Sequence, residues 1–116
     1  MTIKKMYEAV NMRVPIDERT FFEYFNESVA ELVLKYKAKY IYTAFDEETN
    51  NPTVSSLKDE NPIFDLYHIA VLYNILYLCG LGDSYKTLSL SYADEAHLKK
   101  QKERNTDGDF IERDDW

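Results

Sequence analysis

Two residues of the sequence have the types and the spacing for acid–base chemistry. Asp65 and His68 lie three positions apart in a predicted helix spanning residues 63–78, so their side chains share a face and the carboxylate could orient the imidazole as a general base. The hydroxyls that such a base could activate are candidates only because they lie in the following predicted helix: Ser84, Ser89 and Ser91. We therefore favour a buried, hydrogen-bonded pair or a subunit contact, and we predict no catalytic residue and no enzyme activity.

Metal and phosphate motifs are incomplete in this sequence. His68 and His97 lie on different predicted helices, and neither has a cysteine or carboxylate at the spacing of metal ligands. Gly80 and Gly82 are not followed by the Lys and Ser or Thr of a phosphate-binding loop. Three acidic residues resemble a fragment of a calcium loop without its full ligand set: Asp107, Asp109 and Glu112. We predict no metal and no cofactor.

The composition indicates a single globular domain with little attraction for nucleic acid. At 116 residues, 45% of them hydrophobic, the chain can bury roughly two-thirds of its unfolded surface in one core. The formal net charge of -7 disfavours a protein that grips phosphate backbones, because such affinity comes from Lys and Arg. Passive contact with DNA is compatible with this charge.

Three features favour use in a cytoplasm. The single cysteine, Cys79, cannot form a disulfide within the chain, and its place in an apolar run is typical of packing in a reducing compartment. Residues 1–10 contain no apolar run, so we expect no signal peptide. Residues 63–78 are fewer than the roughly 20 that a membrane span needs, and they include polar side chains, so we expect no membrane helix.

The sequence is organised around a predicted αα-hairpin at residues 61–105. Its first helix is apolar except at Asp65, His68 and Asn74, and Asn74 falls opposite the other two. Such a helix has no solvent face and is buried in a core, a bilayer or a subunit interface.

A glycine-containing break separates the two helices of this hairpin. Gly80 or Gly82 can take the left-handed conformation of a helix C-terminus, and Asp83 or Ser84 can cap the next helix. The second helix has one stripe of apolar side chains: Tyr85, Leu88, Tyr92 and Ala96.

Two further helices are predicted in the N-terminal half. Thr2 can cap a short helix before Pro15, with apolar residues at helical spacing: Ile3, Met6, Tyr7 and Val10. Asp17 or Thr20 can cap a long amphipathic helix. Its apolar residues share an arc of about 120°: Phe21, Phe22, Phe25, Val29, Leu32, Val33, Tyr36 and Tyr40.

Two regions have a less regular pattern. Residues 41–45 are β-prone and form either a short strand or a continuation of the helix, and residues 53–57 within the projecting loop at 46–60 are their candidate partner in a short β-hairpin. Residues 106–116 are acidic and are interpreted as either a flexible tail or a docking peptide. The predicted fold is therefore mainly all-α: one small helical bundle at residues 1–105, followed by the tail.

The aromatic content is high for so short a chain. Ten tyrosines and six phenylalanines exceed what a small bundle is expected to hide, and aromatic residues are enriched in the cores of protein interfaces. We therefore predict self-association or docking to a larger partner. The candidate interface residues are Tyr67, Tyr73, Tyr77, Asp65, His68, Phe110, Ile111 and Trp116.

The order of these segments resembles the head–tail connector proteins of tailed bacteriophages, also called head-completion or neck adaptor proteins. The similarity covers roughly residues 17–104. It consists of a long amphipathic helix, a polar loop ending at Glu60, a Tyr-rich helix after Pro62, a break at Gly82 and Asp83, and a final helix with Tyr92.

This resemblance implies a virion structural subunit in the phage neck, assembled in the host cytoplasm. It implies a homo-oligomeric ring, such as a dodecamer, that joins the portal protein to a tail or stopper protein and extends the DNA channel. It further implies that the loop at 46–60 projects and that the acidic tail at 107–116 is the arm that contacts the portal or a neighbouring subunit. The alternative is a small helical adaptor that takes a partner's helix or peptide into an apolar groove.

Overall fold

The computed structural model describes residues 1–37, 41–42 and 53–108, with side chains up to residue 103. The described chain contains four α-helices and one short 3-10 turn, and we number the helices in chain order. They are α1 (Ile3–Arg13), α2 (Glu18–Tyr36), α3 (His68–Leu78) and α4 (Asp83–Gly108), with the turn at Asp65–Tyr67. The mainly all-α fold is confirmed, and α3 lies at the centre in contact with the other three helices.

Side-chain caps begin the first two helices as predicted. The Lys5 backbone N–H donates to Thr2 Oγ1 at 3.1 Å, and the Thr20 N–H donates to Asp17 Oδ1 at 2.8 Å. Asp17 is therefore the cap of α2, and Thr20 lies inside the helix. Each cap satisfies a backbone donor that the first helical turn leaves without a partner.

The predicted apolar stripe of α2 is confirmed in the described part of the chain. Its fully or nearly buried members are Phe21, Phe25, Val29, Leu32 and Tyr36. The helix ends where Lys37 takes a left-handed conformation with φ of 56° and donates its N–H to the Val33 carbonyl. Tyr40, the last predicted member, lies outside the described residues.

The start of the central helix differs from the prediction. Ile63 forms an isolated antiparallel bridge with Tyr42, and the Phe64 N–H donates to the Ile41 carbonyl at 3.0 Å. Because these bonds hold the chain extended after Pro62, α3 begins only at His68. Residues 43–45 lie outside the described part.

The predicted pairing of residues 53–57 with the 41–45 segment is wrong where the structure describes both. Val54 instead exchanges two hydrogen bonds with the Asn26 side chain, at 2.9 and 3.0 Å. Asn26 supplies one donor and one acceptor, so it acts like a neighbouring strand. This contact attaches the end of the loop to α2.

A Schellman motif separates α3 from α4. The Gly80 N–H donates to Tyr77 and the Leu81 N–H donates to Leu76, at 2.9 and 3.3 Å. Gly80 has φ of 87° and Gly82 has φ of 128°, conformations that side chains with a Cβ rarely adopt. The predicted break is confirmed, although Asp83 is the first residue of α4.

The buried face of α4 differs from the predicted stripe. Ser89, Ala93 and Ala96 pack inward, whereas Leu88 and Tyr92 are exposed. Small residues allow α4 to approach α3 closely, and the bulky side chains are thereby displaced to the flank. Helix α4 continues to Gly108, three residues past the predicted domain boundary.

Candidate functional site

The Asp65 and His68 pair predicted from sequence is present, but His68 is already fully engaged. Its Nε2 lies 2.8 Å from the Ile63 carbonyl oxygen and its Nδ1 lies 2.9 Å from the Met1 amine, while Asp65 Oδ1 is 3.7 Å from Nδ1. A carbonyl can only accept, so Nε2 carries the proton and Nδ1 accepts from the ammonium group. Burial is the main cause that lowers the pKa of His68, which favours this neutral form.

This arrangement makes His68 a structural link between the chain start and α3. An open cleft of about 680 Å³ lies beside it, lined in part by Lys4, Lys5 and Lys58.

Of the serines considered as nucleophiles, Ser89 is buried and donates to the Ala70 carbonyl at 2.7 Å. Ser84 and Ser91 are exposed on α4. The described geometry therefore does not bring a serine hydroxyl to the His68 imidazole.

A polar network that the sequence analysis missed joins three helices. Asn74 of α3 donates to Ser28 Oγ of α2 at 2.8 Å and accepts from Lys86 Nζ of α4 at 2.9 Å. Lys86 also forms an ion pair with Glu31 of α2. The only sequence signal for this network was the polar Asn74 in an otherwise apolar helix, because its partners lie far away along the chain.

A second set of contacts links the end of α2 to α4. The Tyr36 hydroxyl donates to Asp94, Lys35 Nζ lies 3.1 Å from the same carboxylate, and the Tyr36 ring stacks on His97 at 4.2 Å. Burial, together with the bond to Asp94, raises the pKa of Tyr36.

The cleft between α2 and the hairpin is small. It encloses about 180 Å³ and is lined by residues that include Glu31, Asn74 and Lys86. Small-molecule pockets typically enclose roughly 300–1,000 Å³, and the Lys86–Glu31 ion pair is part of the cleft wall. A helix of a partner would have to displace this network to enter.

The covering of α3 corrects the argument from its apolar sequence. Tyr67, at the end of the preceding turn, is fully buried, and every residue of α3 is buried or half-buried. Tyr73 and Tyr77 are half-buried. One copy of the chain therefore covers most of its central helix, and the more exposed apolar residues lie elsewhere.

Part of the remaining apolar surface lies on the outer side of the hairpin. The Tyr73 ring packs against Tyr85 at 5.8 Å and stacks on Tyr92 at 5.6 Å. Leu88 and Tyr92 are 40% and 38% exposed, and Leu81 at the hairpin turn is also exposed. We name the set Tyr73, Tyr85, Leu88 and Tyr92 the aromatic face.

The other predicted interface residues are the buried His68, one surface residue and three residues near the chain end. Asp65 is 93% exposed at its side chain. Phe110, Ile111 and Trp116 lie outside the described residues. Leu88 and Tyr92 were predicted as members of the apolar stripe of α4 and were not among the interface candidates.

Two general features of the described chain bear on the site. Among residues 1–37, 41–42 and 53–108, no group of three His, Cys, Asp or Glu side chains is arranged to hold a metal ion. Within the same residues, no helix has both the length and the apolar character needed to cross a bilayer.

Cys79 is half-buried, and burial raises the pKa of its thiol.

The sequence matches no protein-family model, and comparison with curated proteins and with solved structures gives no significant match.

Proposed function

We propose that this protein is a non-catalytic structural subunit that assembles with copies of itself into a ring and joins a phage portal to a tail component. The observation that carries the proposal is the aromatic face, which remains at the surface after the core is complete. In this face Leu88 and Tyr92 are exposed beside the half-buried Tyr73 and Tyr85, and accessible apolar and aromatic side chains grouped together are typical of association surfaces.

Two further properties support this function. The helical bundle agrees with the architecture that the sequence resemblance implies. The net charge of -7 suits the wall of a DNA channel, because like charge keeps phosphate from binding as the DNA passes. In the proposed ring the aromatic face contacts a neighbouring copy, and the portal and tail components bind at the two ends.

The test is assembly of the purified chain, followed by native mass spectrometry with and without a portal protein. Tyr92→Glu places a charge on the aromatic face and is expected to abolish assembly, because an unpaired charge in an apolar contact costs several kcal/mol. Met12→Glu is the matched control, since Met12 is an exposed apolar residue on α1. Tyr92 suits this test better than Tyr73, which is half-buried and packed within the subunit.

The outcomes separate the proposal from its alternative. Rings formed by wild type and Met12→Glu but not by Tyr92→Glu support the structural subunit. Rings formed equally by Tyr92→Glu would contradict the role of the aromatic face. A chain that stays monomeric at high concentration and with the portal protein favours the adaptor, although the 180 Å³ cleft offers a partner helix little room.

A further inference from the structure

Two exposed ridges of the molecule have the same residue spacing. The α2 ridge consists of Glu23, Glu27, Ala30 and Leu34, and the α4 ridge consists of Leu88, Tyr92, Glu95 and Lys99. All eight residues are exposed, and Leu34 is 81% exposed. Both sets follow positions i, i+4, i+7 and i+11, so each forms a continuous line along its helix. Each ridge is apolar or small at one end and charged at the other.

The two ridges face different directions. On α4, Lys86 and Asp94 reach toward α2 through their ion pairs. At 100° per residue, Leu88 and Tyr92 lie roughly half a turn around α4 from this pair. On α2, Leu34 lies opposite the buried stripe. One copy can therefore use its α4 ridge and its α2 ridge at the same time, toward two different neighbours.

The order of residues favours one docking direction. In an antiparallel arrangement Leu34 and Ala30 of one copy meet Leu88 and Tyr92 of the next, and the small Ala30 leaves room for the Tyr92 ring. At the other end Glu23 then lies beside Lys99, whereas Glu27 faces Glu95. In a parallel arrangement, Leu34 would meet Lys99 and Glu23 would meet Leu88.

The same comparison disfavours pairing of like ridges. Two α4 ridges that overlap fully in an antiparallel contact would place Leu88 against Lys99 and Tyr92 against Glu95. Two α2 ridges would place Leu34 against Glu23. Both contacts bury charge against apolar surface, which is unfavourable. Among these arrangements, only the unlike antiparallel pair matches apolar with apolar, and its charged end has one opposite-charge pair, Glu23 with Lys99, and one like-charge pair, Glu27 with Glu95.

We propose that the α4 ridge of one copy docks antiparallel on the α2 ridge of the next copy. Because the two ridges are different surfaces, the contact is head-to-tail and repeats around a ring, in contrast to a closed two-fold dimer. This inference rests on the proposed function. It identifies the α2 ridge of the next copy as the surface that covers Leu88 and Tyr92 of the aromatic face. The partner is a second copy of this chain.

The contact is expected to be weak as a single pair. Eleven residues of helix extend about 16 Å, and a helix is about 10 Å wide. The covered area is therefore smaller than the roughly 800 Å² per partner of a standard stable interface. Repetition around a ring, or binding to a portal, would supply the remaining stability, so the test must capture a transient pair.

Disulfide trapping at high protein concentration captures such a pair. In a Cys79→Ser background, one variant has Glu27→Cys and the other has Glu95→Cys with a mass tag. Positions 27 and 95 face each other in the antiparallel docking, and both are exposed, so the apolar residues stay intact. The two variants are mixed, oxidised and separated by mass.

We expect the mixed disulfide to dominate over either homodimer. Adding Leu34→Glu to the first variant, or Tyr92→Glu to the second, is expected to reduce the mixed product roughly tenfold, as a moderate loss of affinity would. Adding Met12→Glu to the first variant is the control and leaves the yield unchanged. Circular dichroism checks that each variant is folded.

Two results would overturn the inference. A dominant Glu95→Cys homodimer would show a two-fold contact through α4, and would leave the proposed assembly in place if Tyr92→Glu still blocks it. A yield of mixed disulfide that does not fall when Leu34→Glu is added would show that the ridges do not meet and that the disulfide forms by random collision.

Discussion

At the scale of single residues, His68 couples the fold to pH. Burial lowers the pKa of His68, and the Met1 ammonium group contributes in the same direction, against the opposing effects of the Ile63 hydrogen bond and of Asp65. The unfolded state, with a pKa of about 6.5, therefore takes up the proton before the folded state does. Stability is fully present above that pH and is lost as the pH falls below it.

The measurement is the urea midpoint of unfolding between about pH 5.5 and 7.5, which spans the unfolded pKa of histidine. The urea midpoint of wild type should fall toward the acid end of this pH range. The midpoint of His68→Gln, which keeps a donor for the Ile63 carbonyl, should fall less over the same range. His97 needs its own control, His97→Gln, because burial lowers the pKa of His97 as well. An unchanged slope in His68→Gln would contradict the assignment.

At the scale of elements, the turn between α3 and α4 depends on backbone conformation alone. Gly80 has φ of 87°, and a Cβ built on it meets no atom within 4 Å. Gly80→Ala should therefore cost about 1–2 kcal/mol, from the left-handed conformation without any steric clash. Gly80→Asn is the matched variant and should cost less, because Asn tolerates this region. Equal destabilisation in urea unfolding would point to a cause other than the backbone.

The helices that were predicted well are those whose signals are local. Caps at Thr2 and Asp17, the apolar stripe of α2 and the Gly80 break depend on residues within one or two turns of each other. The start of α3 depends on Ile41 and Tyr42, which are distant in sequence. No periodicity within residues 63–78 could show that this pairing holds Ile63 in an extended chain.

The candidate site was harder to predict because it depends on how two helices meet. Leu88 and Tyr92 have apolar side chains at helical spacing, so the pattern alone places them in the core. Ser89, Ala93 and Ala96 occupy the buried face instead, since only small residues permit the close approach to α3. Size complementarity between partners is not encoded in the hydropathy of either helix alone, and the aromatic face was therefore identified only in the structure.

At the scale of the whole molecule, charge and apolar contact act in opposite directions on assembly. Each copy has a formal net charge of -7, and the repulsion between copies is largely screened beyond the Debye length, which is about 10 Å at 0.1 M salt and about 3 Å at 1 M. The ridge contact is short-ranged, and its apolar part is insensitive to salt. Raising the salt concentration should therefore strengthen self-association, until the repulsion is screened.

Sedimentation velocity at several salt concentrations measures this balance. Wild type should shift toward larger species as salt rises, and Leu34→Glu should stay monomeric throughout, because it lacks the apolar contact that screening would reveal. The contact between Lys99 and the acidic end of α2 weakens over the same range, but an exposed ion pair contributes only about 0–1 kcal/mol. The repulsion between two copies that each have a net charge of -7 outweighs this ion pair. Association that declines with salt would show instead that ion pairs, and not the aromatic face, hold the copies together.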